Sequence, residues 1–187
     1  MLRRAIISVW DKSGVVELAR ALHSTGFEIL STSKTAAAIR AAQIPVTEIS
    51  YYTGSPEILG GRVKTLHPKI AGGILSTRKD DSVEPIDVVV CNLYPFADGL
   101  ARGAGHDELV ELIDIGGITL LRAAAKNHAF VTVVPDPKYY GRVAAELATR
   151  GEVGPELRLE LAAAAFDITS RYDTTIAQYL DRLRSSR

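Results

Sequence analysis

The feature that most restricts the fold of this chain is a short apolar, β-branched run, Ala5–Val9. It gives way at once to Asp11-Lys12-Ser13-Gly14 and then to Val15, Val16, Leu18, Ala19 and Leu22 at helical spacing. A run of strand length buried on both faces, followed directly by an amphipathic helix, is the opening of a parallel sheet. Gly26 stands where a helix ends on a C′ glycine. Phe27–Leu30 then reads as a second strand, Thr35–Ala42 as a second helix and Val46–Ile49 as a third short strand. This alternation predicts an α/β fold of three layers, a mainly parallel sheet with helices on both faces.

The pattern breaks at Tyr51–Leu75, which carries five glycines and two prolines. An ordered loop with one short helix is expected there, and loops of this length in compact domains usually carry function. Arg78–Pro85 is polar and charged and reads as a solvated turn. Ile86–Cys91 is a further buried strand, Gly99–His106 a flexible connection, and Asp107–Ile113 a short helix. Gly116–Lys126 is a helix opened by a glycine pair, and Phe130–Val134 is the last strand. From about Asp136 onward the chain is Ala-rich and helical, interrupted at Gly151–Pro155. With no internal repeat and no linker, residues 1–187 read as one domain.

Composition narrows the function. Twenty-two basic residues balance twenty-two acidic ones, so no long-range field marks a nucleic-acid or anionic-membrane binder. No apolar run approaches the ~20 residues of a membrane span. Met1-Leu2-Arg3-Arg4 leads straight into a strand, with no secretory leader, and a cytoplasmic placement is expected. Cys91, the single cysteine, lies in an apolar run and reads as a buried, inert thiol.

In an open parallel sheet, ligands bind beyond the carboxyl ends of the strands. Ser8–Gly14, Ser31–Thr35, Asn92–Phe96 and Asp114–Gly117 fall there. Two of these run into helix starts, which favour anions, so Lys12, Ser13, Thr32, Ser33, Lys34 and Thr35 are candidates to hold a phosphate. Ser13 and Thr35 serve equally well as N-caps. Neither segment is a Walker loop or a dinucleotide fingerprint. Arg62 and Lys64 stand two residues apart in the glycine-rich loop, as a ligand clamp or a solvated basic turn. His67 has no second ligand at metal spacing, so no metal site is expected. Asp114 is a candidate carboxylate or an N-cap. Lys126, twelve residues on, lies at the far end of the helix that begins near Asp114, so that helix alone does not join them. These residues describe a phosphate-binding α/β domain and stop short of a reaction.

Read together, Ser8-Val9-Trp10-Asp11-Lys12-Ser13-Gly14, Gly61-Arg62-Val63-Lys64-Thr65-Leu66-His67-Pro68, Cys91-Asn92-Leu93-Tyr94-Pro95-Phe96, Ile113-Asp114-Ile115-Gly116-Gly117 and Arg122-Ala123-Ala124-Ala125-Lys126-Asn127-His128 resemble the amino-terminal IMP cyclohydrolase domain of the bifunctional purine-biosynthesis enzyme. The segments occur in family order from about Ala5 to Tyr140. The resemblance implies a methylglyoxal-synthase-like fold and closure of 5-formamidoimidazole-4-carboxamide ribonucleotide to IMP with loss of water, without a cofactor. It further implies a nucleotide monophosphate substrate, a homodimer and a separate formylating enzyme, since the transformylase half has no counterpart here.

By the same resemblance, Asp114 is the carboxylate near the attacking nitrogen, with the Gly116 backbone and Ile115 beside it. Lys64 and Tyr94 face the formyl oxygen, and Lys126 is the second active-site lysine. Lys12, Thr32, Thr35, Arg62 and Thr65 fall at positions around the phosphate and ribose, and Asn92 lies by the base; Ser8, Ser33 and Lys34 join them as substrate-binding candidates from their place at the strand ends. Three departures stand out. Thr32-Ser33-Lys34-Thr35 replaces the family's Ser/Thr-Gly-Gly-Thr, removing easy access to positive φ. Ala71 stands where the family commonly has His, and Ser55 where it has an aromatic. The altered loop motivates an alternative, ring closure on an analogue in nucleoside natural-product synthesis. Two further alternatives are methylglyoxal synthase and a non-catalytic nucleotide-sensing domain.

Overall fold

The computed structural model describes residues 2–79 and 82–185. Residues 1, 80, 81, 186 and 187, over which the one-domain reading also extends, lie outside the described residues, as do two positions of the expected 78–85 turn. Strands β1 (Arg3–Val9), β2 (Phe27–Ser31), β3 (Thr47–Glu48), β4 (Val88–Asn92) and β5 (Thr132–Val134) form one sheet in the order β3-β2-β1-β4-β5. Every adjacent pair is parallel. Ala5, Ile6, Ile7, Val89 and Val90 are fully buried, as strands covered on both faces must be.

The chain winds outward from β1 in both directions. Helices α1 (Val15–Ser24) and α2 (Ser33–Ala41) follow β1 and β2, whereas α7 (Gly116–Lys126) links β4 to β5. Right-handed crossovers in opposite directions place these two groups on opposite faces. Packing agrees: α1 lies against α8 (Tyr140–Arg150), and α7 against α4 (Pro68–Leu75) and the long α9 (Pro155–Ser185). The reversal of direction leaves a crevice at the carboxyl ends of β1 and β4, where open sheets of this kind bind ligands.

The expected elements form with shifted ends. Helix α2 starts at Ser33, ahead of Thr35, β3 shrinks to two residues, and β4 begins at Val88. Within the long loop stand α3 (Ile49–Thr53), a 3₁₀ turn at Leu59–Gly61, and α4, more helix than the glycine content suggests.

Two expectations are corrected. The stretch 99–106 is not one flexible connection, because its first three residues belong to α5 (Phe96–Ala101) and His106 opens α6 (His106–Glu111), leaving a short turn at 102–105. Phe96 and Leu109 anchor these short helices in a second apolar cluster with Tyr179 and Tyr172 of α9. Arg78 is not solvated either. Its guanidinium donates to Gly73 O, Ile86 O and Asp87 Oδ1, tying the α4–β4 connection to the strand.

Candidate active site

Three polar strand-end segments, the turn between α6 and α7 at Asp114 and the glycine-rich loop converge on one cavity of about 600 Å³. Ser8, Lys12, Thr32, Ser33, Lys34, Thr35, Arg62, Lys64, Thr65, Asn92, Tyr94, Asp114, Ile115 and Gly116 all line it. Lys126 does not. It is exposed at the C-terminal end of α7, whose N-terminal Gly116 lines the cavity. An 11-residue helix holds its ends about 15 Å apart, so within one chain Lys126 is outside the site.

Asp114 occupies the turn between α6 and α7. Its Oδ1 accepts from Gly117 N at 2.6 Å, so it caps the start of α7 while lining the cavity. Burial raises its pKa above the ordinary 3.8, opposed by the backbone N–H groups of Gly117 and Tyr94. A carboxylate held this way is a stronger base than a solvated aspartate. The turn has no spare room: a Cβ on Gly117 would fall 2.5 Å from Asp114 Oδ2 and 2.9 Å from Leu93 Cδ2. A Cβ on Gly116 would meet Thr65 Oγ1 at 2.8 Å, which is how the buried Thr65 registers the glycine-rich loop against α7.

Tyr94 stands edge-on to Trp10, ring centroids 5.2 Å apart. Burial and the neighbouring Asp114 raise its phenol above the ordinary 10.0, so it stays a proton donor at neutral pH. Lys64 Nζ sits 3.3 Å from Glu57 Oε2 and donates to Ser33 Oγ at 3.4 Å. Ser33 Oγ in turn donates to Glu57 Oε1. Glu57 thus joins the two loops that face each other across the cavity mouth. Gly61 beneath it adopts φ 92°, a conformation that L side chains rarely take. Ser33, in the position the family gives to glycine, adopts φ 23°, a left-handed value that favours glycine.

Other assignments change in detail. Thr35 is buried, and its Oγ1 donates to Val9 O at 3.1 Å and accepts from Val9 N. It braces β1 and caps nothing. Ser13 is no cap either: its hydroxyl donates to Asp11 Oδ1, and the cap position of α1 is Gly14. Asn92 lines the cavity, yet its Oδ1 accepts from Trp10 N and Asp11 N and its Nδ2 donates to Asp11 O. It shapes the β1–α1 loop from the cavity wall. Lys12 Nζ donates to Trp10 O at 3.1 Å, and Arg62 is paired with Glu111 at the rim. Ser8 and Thr32 hydroxyls lie 3.2 Å apart. Ile115, 59% exposed, gives the wall an apolar patch. His67 Nδ1 caps α4 by accepting from Lys69 N. Burial pushes the Cys91 thiol up, which keeps it protonated and unreactive.

Sequence reasoning missed Glu57 and Tyr172. Nothing local distinguishes a glutamate after a proline in a polar loop, and Tyr172 reaches Asp114 across 58 residues of chain.

Comparison with known proteins agrees with this geometry. An MGS-like domain model matches residues 14–119, and an AICARFT/IMPCHase bienzyme model matches residues 124–187. The chain is 50% identical over 190 residues to the bifunctional purine biosynthesis protein PurH of Persephonella marina, and 51% identical over 197 residues to that of Thermosynechococcus vestitus. The alignments cover 97% and 100% of this chain but 37% and 38% of those proteins, so the chain spans little more than a third of their length. The crystal structure of ForH superposes with a TM-score of 0.81 at 34% identity, over 96% of this chain and 97% of that one. The chain belongs to the MGS-like domain family, and beyond that domain it continues into the segment characteristic of the AICARFT/IMPCHase bienzyme.

Proposed function

We propose that the chain closes 5-formamidoimidazole-4-carboxamide ribonucleotide to IMP with loss of water. The observation that carries this reading is the convergence of Lys64, Tyr94 and Asp114 on a single cavity rimmed by Lys12, Lys34 and Arg62. Nucleophile and electrophile already belong to one molecule, so the protein's task is to orient them and to move protons. Asp114 takes a proton from the carboxamide nitrogen as that nitrogen attacks the formyl carbon. Lys64 stabilises the developing oxyanion, and Tyr94 donates to it. The formyl oxygen then leaves as water, carrying two protons, one originally on the carboxamide nitrogen and one on the formamido nitrogen.

The phosphate is read as lying on Ser8, Thr32, Ser33 and Lys34, with Lys12 and Arg62 beside it. Ser33 and Lys34 favour a second reading, ring closure on an analogue, because they replace two small residues with a hydroxyl and a charge at the anion end of the cavity. Residues 1–187 are read as one catalytic unit in the cytoplasm, fed by an activity that formylates its precursor. A homodimer is part of the same proposal, supported by exposed Leu159, Phe166 and Leu180 on α9. A second copy is also the one route by which Lys126 meets a cavity. No helix among the described residues is long and apolar enough to cross a membrane.

The test is a partition of kinetic effects. Asp114→Asn and Lys64→Ala are expected to lower kcat at least ~100-fold with little change in KM, whereas Lys12→Ala raises KM. Substrate analogues run in parallel decide between the two readings. Changes confined to KM in all three variants contradict the assigned roles.

A further inference from the structure

The residues that line the cavity all fall between Ser8 and Gly117, most of them in the 14–119 segment that matches the MGS-like model, yet one side chain from the far end of the chain reaches the backbone of the Asp114 turn. Tyr172, on α9, donates from its hydroxyl to Leu112 O at 2.5 Å and accepts from Asp114 N at 2.9 Å. That hydroxyl spans the turn between the end of α6 and the start of α7, where Asp114 sits. Its ring packs edge-on against Phe96, centroids 6.3 Å apart, and Phe96 opens α5 two residues after Tyr94. One side chain therefore braces both the segment carrying Asp114 and the segment carrying Tyr94.

We propose that Tyr172 is a positioning residue for the ring-closing reaction, fixing the Asp114 turn through its hydroxyl and the Tyr94 segment through its ring. The inference rests on the functional reading above for its kinetic consequence. Asp114 has no freedom on its other side. Its Oδ1 is bonded to Gly117 N, and Gly117 is packed against it. With the backbone N–H of Asp114 also held, the carboxylate is fixed from both ends before substrate arrives, which is the preorganisation that ring closure requires. Titratable groups facing Asp114 are Tyr94, Cys91 and Tyr172 itself. Burial holds the Tyr172 phenol at a pKa of about 12, so it keeps its donor proton at any working pH. The bienzyme-type segment at residues 124–187 thus supplies more than a covering helix.

Tyr179 provides a matched control. It lies seven residues further along α9, stacks in the same cluster on Phe96 at 5.8 Å, and has its own hydroxyl 2.9 Å from His106 Nδ1. No hydrogen bond links it to the Asp114 turn. The experiment compares Tyr172→Phe and Tyr179→Phe for kcat, KM, melting temperature and the Asp114 carboxyl titration followed by NMR. Tyr172→Phe is expected to lower kcat about tenfold or more with KM within about twofold. Its Asp114 titration moves down towards the ordinary aspartate range as the turn loosens and hydrates. Tyr179→Phe leaves both readouts where they were. Equal kcat losses in the two variants, or an Asp114 titration in Tyr172→Phe that overlays the wild type, overturns the proposal. The titration needs no turnover: a wild-type chain that fails to close the ring sinks the functional reading, and the Asp114 shift still decides whether Tyr172 holds the turn.

Discussion

Gly117→Ala adds one methyl group where a Cβ would fall 2.5 Å from Asp114 Oδ2, 2.9 Å from Asp114 Cγ and 2.9 Å from Leu93 Cδ2. At an open helical position the same change stabilises by up to about 1 kcal/mol. Here the carboxylate and Leu93 must both give way. Overpacking of this kind costs about 1–3 kcal/mol. Losing the 2.6 Å bond from Gly117 N to the carboxylate costs about 1.5–3 kcal/mol more. The helical gain offsets a minor part, leaving a net destabilisation of about 3 kcal/mol, or a fall in melting temperature of about 6–12 °C for a chain of this size. Displacing Asp114 by the better part of an ångström is expected to lower kcat about 100-fold. Thermal denaturation followed by circular dichroism, with steady-state kinetics on the same samples, reads both effects. Gly141→Ala is the control, since Gly141 lies in α8 and a Cβ there meets nothing within 4 Å. That variant should melt at or slightly above the wild type with unchanged kcat. A Gly117→Ala protein that behaves like Gly141→Ala would refute the packing argument.

Four further outcomes are expected. Because burial raises the Asp114 pKa and the base must be ionised, kcat/KM falls on the acid side with a midpoint above 3.8; a pH–rate profile checks this, and a midpoint at or below 3.8 contradicts it. The same shift ties Asp114 to stability. Folded Asp114 holds its proton more tightly than unfolded Asp114, so its favourable contribution is present below the unfolded pKa and lost as pH rises through the folded one. Denaturant titrations should therefore show Asp114→Asn gaining on the wild type between pH 3 and pH 7. Lys34→Ala, which removes an exposed charge from the cavity rim, should raise KM about tenfold with kcat unchanged; an unchanged KM would remove Lys34 from the phosphate site. Arg4→Ala removes the buried guanidinium paired with Glu28 and Glu84 at 2.9 and 3.1 Å near the opposite end of β1, leaving Glu84 with Lys69 at 3.2 Å and Glu28 with the Thr47 hydroxyl. The cost is about 2–3 kcal/mol, at the low end for a broken buried pair because Glu84 is half exposed, and equilibrium unfolding should show it without loss of kcat.

The sheet was legible because each buried strand is a short apolar run whose end coincides with a polar or glycine-bearing segment, as at Val9 and Asn92. That same rule located the cavity, since ligand sites in open sheets follow from strand direction alone. What the sequence hid depends on contacts between distant segments. Tyr172 and Tyr179 share a helix face by their seven-residue spacing, which predicts packing but not a hydroxyl bonded to Leu112 and Asp114. Asn92 has the residue type of a base reader, and only the placement of the β1–α1 loop reveals that its amide is already engaged. Lys126 matches a motif letter for letter, yet the length of α7 carries it away from the cavity within one chain. Residues 99–106 looked loose because their helices are short, and their order comes from Phe96 and Leu109 packing against α9. Local propensity does not encode that packing.

The central question is whether this chain by itself closes the ring. The measurement is the appearance of IMP absorbance when the purified 187-residue protein is mixed with 5-formamidoimidazole-4-carboxamide ribonucleotide and nothing else. Rapid formation of IMP, abolished in Asp114→Asn, is the predicted result. Formation no faster than in protein-free solution, with the protein shown to be folded by circular dichroism, would contradict it.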